Sequence, residues 1–343
     1  MSARSGILAG GNWIIDKLKV IDTYPAQDAL ANILSETVGN GGSPFNVLMD
    51  LAKMGAPFPL AGIGLIGDDA NGKWIAGQCR ENGIDAEELR VHPTAPTSYT
   101  NVMTVRGTGR RTFFHQRGAN AFLDDGHFEF KENTAKIFHL GYLLLLDKMD
   151  GPDAGYGTVA ARTLYRATAA GYKTSIDVVS EDGDRFPRIV LPALRHVDYC
   201  ILNEFELGRT TGVAVHTPQG IDLKALRAAA QSLLDAGVRE WVIVHFPEGG
   251  CALGRDGKLR YQGSLQVPQD ALVSTVGAGD AFAAGVLYGL HQETPIEEAL
   301  RIGACAAASC LYGAGTSDGI LSLDGCLGLA KKFGYRPSPV LAD

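Results

Sequence analysis

The chain of 343 residues is poor in charge: charged residues make up 20% of it, below the usual share of about 25%. What charge there is leans acidic, with 31 Lys and Arg against 38 Asp and Glu and a net charge of −7. There is no dense Lys/Arg run, so the electrostatic footprint of a nucleic-acid binder is missing. Long apolar runs are missing too. The greasiest stretch, residues 137–146, contains His139 and Gly141 and falls far short of the roughly 20 residues a membrane helix needs. The N-terminal segment MSARSGILAGGNWIID is too briefly apolar for a secretory signal. The six cysteines include no CxxC pair. A disulfide scaffold is therefore not expected, and free buried thiols in a reducing cytoplasm are.

What is abundant is apolar residues, at 45%, and glycine, at 43 positions. The first supplies a sizeable core. The second implies tight turns and backbone that approaches ligands closely. Length alone suggests either two domains or one large α/β domain with an insertion. From residue 43 onward helix and strand patterns alternate. Ser43-Pro44 reads as the capped start of a helix ending at Gly55, and PFPLAGIGLIG as a buried strand. Residues 70–81 are helical, Asp222 caps a helix ended by Gly237, and EWVIVHF is a strand. CALGRDGKLRYQ is a hairpin turning at Asp256-Gly257, and two final helices fall at about 280–290 and 297–312. Such alternation implies a mostly parallel sheet covered by helices on both faces. Two stretches break the rhythm with polar-alternating strands, IIDKLKVI with ALANILSETV and SYTNVMTV with RTFFHQ. They read as one small β lid assembled from insertions at about 14–40 and 96–118, within a single domain spanning 1–343. The tail after 331 reads as a surface segment.

Two glycine motifs are poor matches to the ligand sites they resemble. Gly62-x-Gly64-x-x-Gly67 matches a dinucleotide fingerprint, but Asp68 and Asp69 follow where a pyrophosphate would lie. Gly67 to Trp74 is a near miss to a P-loop, with Trp74 where a hydroxyl should bind Mg²⁺; a capped helix start is the preferred reading. Ser274-Thr-Val-Gly277-Ala278-Gly279-Asp280 is different. Small residues open a helix and leave its first amides bare, which makes an anion-binding nest. Asp280 is expected to cap that helix. A carboxylate beside an anion site is electrostatically odd unless it takes a proton from an attacking hydroxyl. Asn203 and Glu206 follow the strand DYCIL, where the carboxyl ends of strands meet ligands in an open sheet. They suit hydrated Mg²⁺ on nucleotide phosphates, or simply an N-capped helix.

Taken together, VGAGDAF, Asn203-x-x-Glu206, GLIGDDANG, Gly41-Gly42-Ser-Pro-Phe-Asn46 and Gly10-Gly11-Asn12 with Asp16 resemble, in order and spacing, the PfkB or ribokinase-like carbohydrate kinases. The resemblance runs from about residue 6 to 325. It implies a ribokinase-like α/β fold with a β lid and ATP-dependent phosphorylation of a hydroxymethyl group on a small sugar. It makes Asp280 the general base and the amides of Gly277, Ala278, Gly279 and Asp280 the anion hole. It assigns Asp16, Gly41, Gly42, Asn46 and Asn120 to the sugar. Asn203, Glu206, His245, Gly250 and Cys305 fall to the nucleotide side, with Glu206 meeting Mg²⁺ through water. Three positions depart from the family pattern: Ser274 replaces the usual Asp of monovalent-cation sites, Pro247 interrupts the ATP-side segment, and Cys305 replaces an Asn. Activation by K⁺ is therefore not expected. A nucleoside kinase of the same fold and a catalytically weak binding or regulatory protein remain open as alternatives. Arg111, His115 and Arg117 are lid side chains that could meet a substrate. Exposed lid edges make a homodimer through the lid an expectation; neither nucleic acid nor a membrane is expected as a partner.

Overall fold

The computed structural model describes residues 4–130, 134–217 and 220–338. The chain begins with β1 (Ile7–Gly11), β2 (Ile14–Ile21) and β3 (Ile33–Gly41), then α1 (Ser43–Lys53), β4 (Leu60–Gly67), α2 (Ala70–Glu81) and β5 (Ile84–His92). There follow β6 (Ser98–Val105), β7 (Arg111–Gln116), β8 (Ile137–Leu143), β9 (Pro152–Asp153), β10 (Gly157–Thr158), α3 (Val159–Ala169) and β11 (Lys173–Val178). The second half holds α4 (Phe186–Ala193), β12 (Tyr199–Asn203), α5 (Glu204–Thr211), β13 (His216–Thr217), β14 (Gly220–Ile221), α6 (Leu223–Ala236) and β15 (Trp241–Phe246). It closes with β16 (Gly249–Gly254), β17 (Leu259–Gly263), α7 (Ala278–His291), α8 (Ile296–Cys310) and α9 (Leu323–Phe333).

Nine strands form the central sheet in the order β17-β16-β15-β12-β11-β8-β1-β4-β5. Pairings from β15 through to β5 are parallel, and β16 and β17 turn back antiparallel at one edge. Apolar side chains cover both faces, as a parallel sheet requires. One core packs α3, α4, α5 and α6 against the sheet, and the other packs α1, α2, α7, α8 and α9. All six cysteines are free and buried. The two irregular stretches pair into a separate four-stranded sheet, β3-β2-β6-β7. Its centre is parallel, β2 on β6, and its outer pairs are antiparallel.

The glycine motif at 62–67 lies along β4. A Cβ on Gly62 or Gly64 would come within 2.5 or 2.4 Å of the Trp13 ring, so these glycines seat a buried tryptophan. The near P-loop is a capped helix start: Asp69 accepts from Gly72 N at 2.8 Å and from the Thr97 hydroxyl at 2.7 Å. Two local expectations are corrected. The cap of α1 is Gly42, with φ 82, and Ser43 is its first helical residue. The chain also forms one more helix near its end, α9, which had read in part as surface tail; Cys326 on it is buried against the core.

Candidate active site

The carboxyl ends of the parallel strands face the lid across a cavity of about 450 Å³. Asp16 reaches it from β2, as the third residue of that strand. The double glycine at the end of β3 makes room for it: a Cβ on Gly41 would sit 2.4 Å from an Asp16 carboxyl oxygen. Gly42 turns the chain into α1 with a positive φ that β-carbon-bearing residues avoid, and a Cβ there would meet the Asn12 carbonyl at 2.0 Å. The turn sets Asn46, in the first turns of α1, at the cavity floor. Burial, then the charge of Asp280, raises the Asp16 carboxyl from 3.8 to about 7.

The N-cap residue of α7 is Gly277, with φ 80, and no side chain caps the helix. The first amides of a helix lack intrahelical partners, so those of Ala278, Gly279 and Asp280 are left for a ligand. Asp280 does not cap the helix as its position suggested. It lies in the first turn, buried, and its Oδ2 accepts from Asn46 Nδ2 at 2.7 Å and from the Tyr142 hydroxyl at 3.0 Å. Burial raises its pKa from 3.8 to about 7, the Asp177 charge adds to this, and the bonds from Asn46 and Tyr142 oppose it. A carboxyl that titrates near neutrality can exchange a proton with a nearby hydroxyl at little cost.

Asn203 and Glu206 form a reciprocal capping box at the start of α5. Asn203 Oδ1 accepts from Glu206 N, and Glu206 Oε2 accepts from Asn203 N, each at 2.8 Å. The Ser180 hydroxyl donates to Glu206 Oε1 at 2.7 Å. Burial raises Glu206 to about 8. Both its oxygens are engaged, and no cluster of three metal-ligating side chains occurs among the described residues. A divalent ion therefore fits this wall through its water shell rather than by direct bonds. His245, the penultimate residue of β15, lies against the start of α7, 3.0 Å from where a Gly279 Cβ would lie, and burial lowers it to about 4, so it is neutral.

Five expected site residues do not line the cavity: Gly41, which gives Asp16 its room, Ala278 in the first turn of α7, and three that stand apart from it, Asn120, Gly250 and Cys305. Asn120 is wholly buried and bridges the backbone of Trp13, donating to its carbonyl at 3.0 Å and accepting from its amide at 3.4 Å. Gly250 makes space for the Phe282 ring, which a Cβ would meet at 2.6 Å. Cys305 lies on α8 with its sulfur 3.3 Å from the Tyr335 hydroxyl.

Two residues that the sequence did not single out sit at the centre. Asp177, at the carboxyl end of β11, accepts from Tyr142 N at 2.6 Å and from the Ser43 hydroxyl. That hydroxyl also lies 3.0 Å from His139 Nε2. Tyr142 follows Gly141 in a left-handed conformation, φ 58, which aims its hydroxyl at Asp280. A carboxylate at the end of a buried parallel strand was a usable signal for Asp177; no local signal marks Tyr142. From the lid, Arg111, Phe113 and His115 face the cavity at alternate positions of β7. Arg111 donates to the Thr275 hydroxyl at 2.9 Å and supplies the cavity's one Lys or Arg among the described residues. Arg117 instead lies 3.7 Å from Asp147.

A lidded parallel sheet that sets a buried, near-neutral carboxyl against an open helix N-terminus defines a small-molecule phosphotransferase architecture. Comparison with known proteins gives the particular family. Residues 13–321 match the model of the pfkB family of carbohydrate kinases, and the chain belongs to that family, whose members phosphorylate sugar hydroxyls. A probable fructokinase-7 of Arabidopsis thaliana is 29% identical over 283 residues, covering 79% of this chain and 76% of that protein. Solved structures share the fold. Arabidopsis thaliana ribokinase complexed with ribose and ATP has a TM-score of 0.76 at 23% identity, covering 96% of this chain and 99% of that one. A nucleoside kinase from Methanocaldococcus jannaschii has a TM-score of 0.74 at 16% identity, covering 96% and 100%. Among the described residues no helix is long and apolar enough to cross a membrane.

Proposed function

We propose that the chain transfers the γ-phosphate of ATP to a hydroxymethyl group of a small carbohydrate. The observation that carries this is the convergence of Asp16, Asn46 and Asp280 on one cavity at the uncapped start of α7. Asp16 and Asn46 offer acceptors and donors to neighbouring hydroxyls of a polyol. Asp280 removes the proton of the attacking hydroxyl. The amides of 278–280 receive the charge that develops on the transferring group, with the helix end reinforcing them. ATP brings Mg²⁺, which Glu206 and Asn203 hold through water, and the nearby Asp177 carboxylate favours a hydrated cation there. The lid excludes water from the reacting groups and keeps the phosphoryl group from hydrolysis. Ile33, Leu34 and Val38 on the edge strand β3 are exposed, and we place a homodimer contact there.

The nucleoside reading has one observation in its favour, the Phe113 ring lining the cavity from the lid, on which a base would stack. A panel of fructose, ribose, deoxyribose, keto-deoxy sugar acids and nucleosides with Mg-ATP, read by ADP release, tests the proposal. Turnover of a sugar supports it. Turnover confined to nucleosides replaces the acceptor, and no turnover with any compound returns the chain to a binding or regulatory role.

A further inference from the structure

We propose that Asn40 is a positioning residue for phosphotransfer: from the lid strand β3 it locks the Asn46 side-chain amide with its NH₂ group toward the reacting carboxylate. The proposal rests on Asp280 acting as the base.

A side-chain amide has a donor end and an acceptor end. Turned over, Asn46 would set its carbonyl oxygen against the Asp280 carboxylate, and the two would repel. Asn40 removes that choice. Its Nδ2 donates to Asn46 Oδ1 at 2.7 Å, so Asn46 has its nitrogen left for Asp280 Oδ2, also at 2.7 Å. Asn40 is itself held on two sides. Its Nδ2 donates to the Ser317 hydroxyl at 2.9 Å, and its backbone carbonyl accepts from the Thr316 hydroxyl at 2.5 Å. Lys53, at the end of α1, donates to the Ser317 carbonyl at 2.8 Å and ties this loop to the helix that carries Asn46. Asn40, Asn46, Thr316 and Ser317 are all buried, so water does not compete for these bonds. The same loop abuts the anion-hole turn, where a Cβ on Gly277 would meet the Thr316 carbonyl at 2.4 Å. Asn40 pairs with Ile15 in the lid sheet, one residue before Asp16. The root of the lid, the acceptor-binding carboxyl and the partner of the base are thus joined in one polar cluster.

The titratable groups that act on Asp280 come from every surrounding element. They are Asp16 on β2, Asp50 on α1, His139 and Tyr142 on β8, Asp177 on β11, Glu206 on α5 and Cys310 on α8. Of the groups facing it, Asn46 and Tyr142 donate to its carboxylate. Loosening Asn46 therefore moves the Asp280 titration upward.

The test is a carbon-13 titration of the Asp280 carboxyl in the ligand-free protein, its signal assigned by its loss in Asp280→Asn. Asn40→Ala and Ser317→Ala should raise the midpoint, Asn40→Ala by about half a pH unit or more. Asn46→Ala should raise it further, and adding Asn40→Ala to Asn46→Ala should change nothing more, because Asn40 acts through Asn46. A folded Asn40→Ala protein with the wild-type midpoint overturns the inference, as does an equal upward shift on the Asn46→Ala background. If Asn40→Ala does not fold, Ser317→Ala decides by the same criteria. Failure of the base assignment is read separately, as retained ADP release by Asp280→Asn.

Discussion

Replacing Asp280 by Asn removes the proposed base and leaves its surroundings almost unchanged. Both donors to the side chain, Asn46 Nδ2 and the Tyr142 hydroxyl, converge on the single oxygen Oδ2. The amide oxygen of Asn can take that place and keep both bonds, with its NH₂ group in the position of Oδ1. Binding of acceptor and nucleotide should therefore persist. Catalysis should not: a positioned general base contributes about 10²–10⁴-fold, or about 3–5 kcal/mol at about 1.4 kcal/mol per decade. Stability should move the other way. Burial and the Asp177 charge raise the Asp280 pKa from 3.8 to about 7, so the folded state holds this proton more tightly than the unfolded chain. That contribution is complete below the unfolded pKa and is lost as pH rises through about 7. Asn carries no such cost, so Asp280→Asn should melt at least as high as wild type at pH 8. Wild-type turnover should follow the deprotonated form, falling toward pH 6 to about a tenth of its plateau. Coupled ADP-release kinetics from pH 5.5 to 8.5, with melting curves of both proteins, measure all of this. An Asp280→Asn enzyme within a factor of two of wild type, or a flat wild-type profile across pH 7, would refute the assignment.

Asp16→Ala should raise KM for the acceptor strongly and lower kcat, because a misplaced hydroxyl cannot reach Asp280. KM for ATP should change far less, and varying each substrate in turn separates the effects. Asn120→Ala should act on stability instead: its buried bonds to the Trp13 backbone leave unpaired groups costing about 1–3 kcal/mol each. A drop in melting temperature with acceptor KM unchanged at permissive temperature is the expected result, and a selective rise in KM would return Asn120 to the acceptor site. K⁺ should have little effect on turnover, since the side chain at 274 is a neutral hydroxyl that accepts from Val276 N at 3.1 Å; saturable activation in K⁺ over Na⁺ buffers would show that other groups replace the carboxylate.

Local order in the chain was enough for much of this. Alternating apolar runs specify a parallel sheet because each buried strand needs cover on both faces. The lid strands announce themselves by their polar alternation, and Asn203 with Glu206 by a spacing that closes a capping box within one helical turn. Gly277-Ala278-Gly279-Asp280 reads as a helix start within four residues, because a helix N-terminus is local, although the cap is Gly277 and not the expected Asp280. Other features exist only in three dimensions. Asn46 and Asp280 are bonded across 234 positions, and nothing near either names the other. Gly41 is small because Asp16, on the paired strand, needs its space. Gly42 rather than Ser43 caps α1 because Asp177 and His139 draw the Ser43 hydroxyl away. Asn120 is turned to Trp13 by burial, whatever its motif resembles. Tyr142 reaches Asp280 through a positive φ that a tyrosine adopts only where tertiary contacts, here Asp177 on its amide and Asp280 on its hydroxyl, hold it there. The sequence settles what is decided within a turn or a strand. Which carboxylates face one another, and hence which of them titrates near neutrality, follows from packing distant segments into one dry cavity, where charge interactions depend on burial and distance.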